Sequence, residues 1–247
     1  MSRDNLITHI QQVKDDLLLM GSLVEIATVK SVDALRRRDT NQARQIYMDD
    51  QIINQKRYAI ENDVLILIAT QQPMAHDLRL LAAMLEIASE LERMGDYAKG
   101  ICKVIVNLED VDIPIPIKEI EEMSKETVEM LHTALTAFLN EDAETARALP
   151  HLDDKVDKLF TKTEHFIIKT MKRKPWVTSS RSCQIQTHIE LTCGAGNLRA
   201  VSIKLWIFVL SPKDFRTGSV PKTASEIAPY SSNPRSSALP TINTVGS

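Results

Sequence analysis

The chain has little of what builds sandwiches, barrels or stapled folds. Glycine occurs 7 times in 247 residues and aromatic residues make up 4%. That removes most of the turn chemistry and bulky side chains of a small β protein and favours an all-α one. The three cysteines, Cys102, Cys183 and Cys193, are odd in number and share no C-x-x-C spacing, so neither a disulfide framework nor a zinc site is indicated. Long apolar runs are missing: Leu205 to Leu210, the longest late one, falls far short of the roughly 20 residues that span a bilayer. The opening residues, MSRDNLITHIQQVKDD, lack an apolar core with a cleavage site, so no signal peptide is expected and a cytoplasmic location is the default. No nucleophile stands beside a base, and neither a Gly-rich phosphate loop nor a dinucleotide fingerprint occurs, so no enzymatic activity is expected.

What is present is a chain 43% hydrophobic and 26% charged, long enough to bury a substantial core in one domain or two. The net charge of −3 conceals an asymmetry. Residues 1–174 carry 23 Lys and Arg against 30 Asp and Glu, a net of −7, whereas residues 175–247 carry 7 against 3, a net of +4. An acidic first part argues against nucleic acid as the main partner.

The stretch from Gln71 to Asn107 organises the rest. It reads as one long helix with Pro73 near its first turn, where a missing N–H costs nothing. Small and apolar residues recur along it every seven positions, Leu81, Ala88, Gly95 and Cys102 in one row and Met84, Leu91, Ala98 and Ile105 in the other, the pattern of a bundle seam. Beside that seam lie Glu92 and Asp96. Four residues make just over one turn, about 6 Å of rise, so both carboxylates project from one edge. Two hard oxygen donors so placed suit a cation such as Mg, Mn or Fe; a solvated edge salted by Arg93 and Lys99 is the plainer reading.

Around this helix the pattern predicts four more. Asp4–Arg38 carries an apolar stripe through Leu6, Ile10, Val13, Leu17, Met20, Val24 and Ala27, and Asp39-Thr40 offers a stop and a new N-cap. Asn41–Thr70 bears Ile46, Ile53, Ile60 and Leu67; its acidic feature is Asp49-Asp50, with Asn54 one turn after Asp50. The two prolines of EDVDIPIPI, Glu109 to Ile117, hold an extended boundary. Lys118–Asn140 and Glu141–Arg173 follow as amphipathic helices. Met20 and Met123, Asp39 and Asp142, Arg44 and Arg147, Asp50 and Asp153, Asn54 and Asp157, and Glu61 and Glu164 each differ by 103. A three-helix unit has been used twice, and the copying reproduces an acidic pair, Asp153 and Asp157. Carboxylates converging from two helix edges repel one another unless a cation or basic groups compensate.

The residues QQPMAHDLR (71–79) and ELERMGDYA (90–98), with DDQIIN (49–54) upstream, closely resemble the PhoU family of phosphate-signalling accessory proteins over roughly residues 5–174. The resemblance implies two tandem three-helix bundles with multinuclear metal clusters on acidic motifs. By position Glu92 and Asp96 match the first motif, Asp50 the first acid of helix two, and Asp153 and Asp157 the second-unit pair. It further implies a homodimer that regulates phosphate uptake and starvation signalling, negatively modulating a phosphate ABC transporter through its ATPase subunit and a sensor histidine kinase, and reaching the membrane only through those partners.

The pattern departs from the family near Pro175. Ala195 and Arg199 stand where a second acidic motif would fall, and the Ser/Thr/Pro-rich end is too polar for a sixth helix. The expected domains are therefore 1–112, a first bundle; 113–174, two helices of a second, under-packed one; and 175–247, a disordered tail following a change of reading frame or a lineage-specific extension. Two alternatives stay open. A structural helical adaptor would carry the same acidic edges as solvated faces. A di-iron carboxylate enzyme would want two Glu-x-x-His pairs projecting into the core, and no Glu-x-x-His is expected in the helical region.

His76, in the first turn of the third helix, reads as structural or solvent-facing rather than as a phosphorelay residue, and Arg36-Arg37-Arg38 as favourable charge at a helix C-terminus.

Overall fold

The computed structural model describes residues 3–107 and 114–173. Five helices hold nearly all of them: α1 (Arg3–Arg37), α2 (Thr40–Gln71), α3 (His76–Asn107), α4 (Ile117–Leu139) and α5 (Ala143–Arg173). No strand occurs among the described residues. Isolated helices are marginal in water, and the stability of these comes from burying one apolar stripe each. On α1 that stripe is Leu6, Ile10, Val13, Leu17, Met20 and Val24; on α2 it is Ile46, Ile53, Ile60 and Leu67. Both heptad rows of α3, from Leu81 to Ile105, are buried throughout, because α1 and α2 cover them from two sides. These three helices pack pairwise, α5 packs on α4, and α4 packs on α1.

The repeat extends to individual backbone hydrogen bonds. α1 ends as Arg38 turns left-handed (φ 55°), which lets Asp39 N donate to Ala34 O at 2.9 Å and Arg38 N to Leu35 O at 3.3 Å. α4 ends as Glu141 turns left-handed (φ 54°), with Asp142 N donating to Ala137 O at 2.8 Å and Glu141 N to Phe138 O at 3.1 Å. Both are helix stops of the Schellman type, made without the usual glycine. The next residue then caps the next helix: Asp39 Oδ1 accepts from Gln42 N at 2.9 Å, and Asp142 Oδ1 from Thr145 N at 3.1 Å. Every partner in one set is displaced by 103 from its counterpart in the other.

The helices that join the two units, α1 and α4, are themselves counterparts. Lys14 pairs with Glu141 at 3.8 Å, Glu25 with His132 at 3.6 Å and Arg36 with Glu121 at 3.1 Å. Numbers rise on one side as they fall on the other, so the helices run antiparallel. Gly21 lies between these pairs, where an added Cβ would meet Leu135 Cδ1 at 2.2 Å; the missing side chain makes room for the leucine.

One detail differs from expectation, and two more mark the helices. Pro73 is not in the first turn of α3: α2 runs on to Gln71, Gln72 caps it left-handed (φ 47°), and Ala75 is left-handed too (φ 41°). The proline therefore sits in a short connector, and α3 starts at His76. Pro150 lies inside α5, where it removes one helix hydrogen bond. Toward the end of α5, Ile167 is only partly buried, whereas its counterpart Val64 is fully enclosed. The expected tail, with its missing motif and change of frame, lies outside the described residues.

Candidate metal centre

Glu92, Asp96 and Lys99 occupy positions i, i+4 and i+7 of α3 and so share one edge. Opposite them α2 presents Asp50 and, one turn on, Asn54. Gly95 on α3 brings the helices close: a Cβ there would lie 3.0 Å from Ile53 Cδ1 and 3.6 Å from Asp50 Oδ1. Ile53 fills the space, and the Asp50 carboxylate tucks in beside it, only 5% exposed. A buried carboxylate needs compensation, and Asp50 has two donors. Lys99 Nζ reaches across from α3 to Oδ2 at 2.6 Å, and Asn54 Nδ2 donates to the same oxygen at 3.0 Å. Lys99 Nζ also lies 3.5 Å from Asp96 Oδ1 and 5.4 Å from the centre of the Tyr47 ring.

The electrostatics follow. Burial pushes the Glu92 carboxyl above its ordinary range, the neighbouring Asp96 adds to the rise, Arg57 opposes it, and Asp50 and Lys99 act more weakly in opposite senses. The hydrogen bond to Asp50 holds the Lys99 ammonium above its ordinary value. Arg57 itself pairs with Glu61 and stacks over the Tyr58 ring at 4.3 Å. Arg93 turns away, toward Glu90 Oε2 at 3.3 Å and the Tyr97 hydroxyl at 3.3 Å. Of the two basic residues thought to salt this edge, only Lys99 does so.

The structure thus brings three of the five candidate ligands, Asp50, Glu92 and Asp96, to one edge. The other two lie apart on α5. Asp153 is 1% exposed, as its counterpart Asp50 is buried, while Asp157, one turn on, is exposed. Asp49, beside Asp50, is exposed and accepts from Gln45 Nε2 at 2.7 Å. One Glu-x-x-His does occur in the described helices, Glu129 to His132 on α4, but both residues are exposed, so it does not project into a core as a di-iron site requires.

By chemistry the three oxygen donors fit a hard cation. By arrangement the place between Asp50 and Asp96 is taken by the Lys99 ammonium, and no three His, Cys, Asp or Glu side chains among the described residues converge as a ready metal site. Spacing on α3 was enough to put Glu92 and Asp96 together. Lys99 continues that spacing by three, a signal that could have been used, whereas its reach to Asp50 depends on how two helices are set against each other.

Comparisons with known proteins agree with this architecture. The model of the PhoU domain matches residues 17–105 and 120–192, reaching past residue 174. The "Phosphate-specific transport system accessory protein PhoU homolog" of Clostridium acetobutylicum is 33% identical over 172 residues, 69% of this chain and 78% of that one. The protein of the same name from Borreliella burgdorferi is 34% identical over 181 residues, 71% of this chain and 81% of that one. Among solved structures, PhoU from Pseudomonas aeruginosa superposes with a TM-score of 0.74 at 27% identity, covering 82% of this chain and 97% of the other. Two helical units related by a shift of 103, matched on both sides of their connector by the same domain, place the chain in the PhoU family.

Proposed function

We propose that the protein is a non-enzymatic accessory regulator of phosphate uptake and phosphate-starvation signalling. The observation that carries this reading is the shared edge of Asp50, Glu92 and Asp96 in a chain whose relatives are named as accessory proteins of a phosphate-specific transport system. An acidic edge built on two rigid helices is a docking surface for a basic one. The ATPase subunit of a phosphate ABC transporter and a sensor histidine kinase are the partners, and the protein damps the activity of both. It works at the cytoplasmic face as a homodimer; no helix among the described residues is long and apolar enough to cross a membrane.

Asp50, Glu92 and Asp96, with Asp153 and Asp157 in the second unit, are the groups that would hold Mg, Mn or Fe ions. Such a cation supplies positive charge that offsets the mutual repulsion of the carboxylates and stiffens the edge for docking. The test is the double substitution Glu92→Gln/Asp96→Asn in cells lacking the wild-type gene. Phosphate-dependent repression should be lost along with bound metal, while helix content stays unchanged. Unaltered repression and metal content would overturn the reading.

A further inference from the structure

The outward face of α5 carries one sign of charge. His151, Lys155, Lys158, Lys162, His165 and Lys169 follow one another at steps of three or four, so they form a single row about 27 Å long. All of them are exposed, and no acidic residue stands in the row. The opposite face, with Leu149, Val156 and Leu159, is buried where α5 packs on α4, so the row points away from the bundle. Shifted by 103, the same row on α2 reads Met48, Ile52, Gln55, Ala59, Asn62 and Ile66, exposed at every position and uncharged. The same helix of the repeat is thus built without the charges. Like charges three or four apart repel on a helix, a cost that an anionic partner removes. Within the chain Lys155 meets Glu126 of α4 at 2.6 Å and Glu122 at 3.9 Å.

We infer that the outer row of α5 is a contact surface for the anionic headgroups of a lipid bilayer. A basic helix face of this kind suits a membrane surface. Lysine is a point charge on a flexible stem, matched to a diffuse sheet of negative charge. The planar fork of arginine, which does not occur between His151 and Lys169, serves bidentate recognition of single phosphates or carboxylates. A straight row also meets a flat surface along its whole length. Phe166, 40% exposed, lies one turn from both Lys162 and Lys169 and offers an aromatic ring at the headgroup boundary. Because the apolar face of α5 is buried on α4, the helix lies on the surface and does not enter it. Residues 1–174 carry 23 Lys and Arg against 30 Asp and Glu, a net of −7, but exposed charges farther off than about 8 Å are largely screened in physiological salt. The sign of the row therefore governs close contact. Each lysine at an anionic surface is worth about fivefold in partitioning, the equivalent of about 1 kcal/mol. This contact is direct, beyond a membrane reached only through protein partners, and it holds whether or not the acidic edge takes a metal ion.

The experiment is flotation of the full chain with vesicles of equal parts phosphatidylglycerol and phosphatidylcholine, and with vesicles of phosphatidylcholine alone, at low and at physiological salt. Wild type is compared with Lys158→Gln/Lys162→Gln/Lys169→Gln, with Lys158→Arg/Lys162→Arg/Lys169→Arg, and with Lys103→Gln/Lys118→Gln/Lys125→Gln, a control that removes as many exposed charges elsewhere. The expected result is binding to the anionic vesicles only, weakened by added salt. It should fall roughly a hundredfold in the α5 glutamine variant and change little in the arginine variant and the control. Failure of the wild-type protein, shown folded by circular dichroism, to bind anionic vesicles would overturn the inference. Equal losses in the α5 glutamine variant and the control would also overturn it, by assigning the binding to net charge. Tighter binding through the same three lysines to duplex DNA or to a polyglutamate peptide than to the vesicles would overturn it in favour of a nucleic acid or an acidic protein. Every substituted position is exposed, and circular dichroism of each variant checks that helix content is kept.

Discussion

Arg38 and Glu141, 103 positions apart, adopt nearly the same left-handed backbone conformation, φ 55° and 54°. Neither is glycine, although glycine is the residue this conformation favours, and a side chain there costs about 1 kcal/mol.

Replacing Arg38 with Gly should accordingly stabilise the fold by roughly 0.5–1 kcal/mol, visible as a raised urea midpoint at unchanged slope. Glu141→Gly should gain less than the relief of its backbone conformation alone would give, because Glu141 also faces Lys14 at 3.8 Å and His76 at 3.6 Å; a full gain of about 1 kcal/mol at this site would mean that those contacts contribute nothing.

The helix junction at Gly21 leads to a second expectation. A methyl group there collides with Leu135 Cδ1, the movable tip of a side chain, while alanine improves helix propensity by up to about 1 kcal/mol. Gly21→Ala should be close to neutral and Gly21→Leu should cost about 1–3 kcal/mol through overpacking. Leu135→Ala alone should cost about 2–5 kcal/mol. Combined with Gly21→Ala it should cost less, because the new methyl occupies part of the cavity. Strict additivity in thermal melts would show that the two residues do not share that space.

The cap at Asp142 is one that pH can read. Hydrogen bonds from the Thr145 hydroxyl, then from its backbone N–H, hold the Asp142 carboxyl below its ordinary range, with Glu144 N–H helping. A carboxyl whose folded value is depressed adds stability above the ordinary carboxylate range and loses it as pH falls through the folded value. Asp142→Ala should therefore destabilise at pH 7, with the deficit shrinking below about pH 4. Asp39→Ala, at the equivalent cap, should cost about 1 kcal/mol at neutral pH. A deficit for Asp142→Ala that persists undiminished to pH 2 would contradict the assignment.

Cys102 lies in the α3 seam with no exposed surface, and burial pushes its thiol up to about 12. At pH 8 almost none of it is thiolate, the reactive form. Iodoacetamide should leave Cys102 unmodified in the native protein and label it fully in urea, as peptide mass spectrometry can follow. Rapid native labelling would mean that the seam opens.

Much of this fold is legible from periodicity because long amphipathic helices leave long signals. The rows through Leu81 and Met84 are buried as their spacing implies, and Asp39 and Asp142 cap helices as their side chains permit. The α2–α3 connector is not legible for a local reason: left-handed Gln72 and Ala75 bear no mark in the sequence, so Pro73 resembles a helix start although it follows a helix end. At the acidic edge, the spacing of Glu92 and Asp96 sufficed to pair them. The identity of their counter-charge does not follow from it: Arg93 has a partner within α3 in Glu90, three residues back, whereas Lys99 meets Asp50 only through the set of α2 against α3.

The antiparallel contact of α1 with α4 joins two counterpart helices inside one chain, through pairs that differ from one end of the contact to the other. The short connector between Asn107 and Ile117 holds its two faces at an effective concentration on the order of millimolar. A glycine-sized notch and a few flanking ion pairs are then sufficient, where two separate chains would need a large dry interface to meet at all. Duplication and fusion thus relax the demand on the contact surface, and leave the rest of each unit's exterior available for other partners.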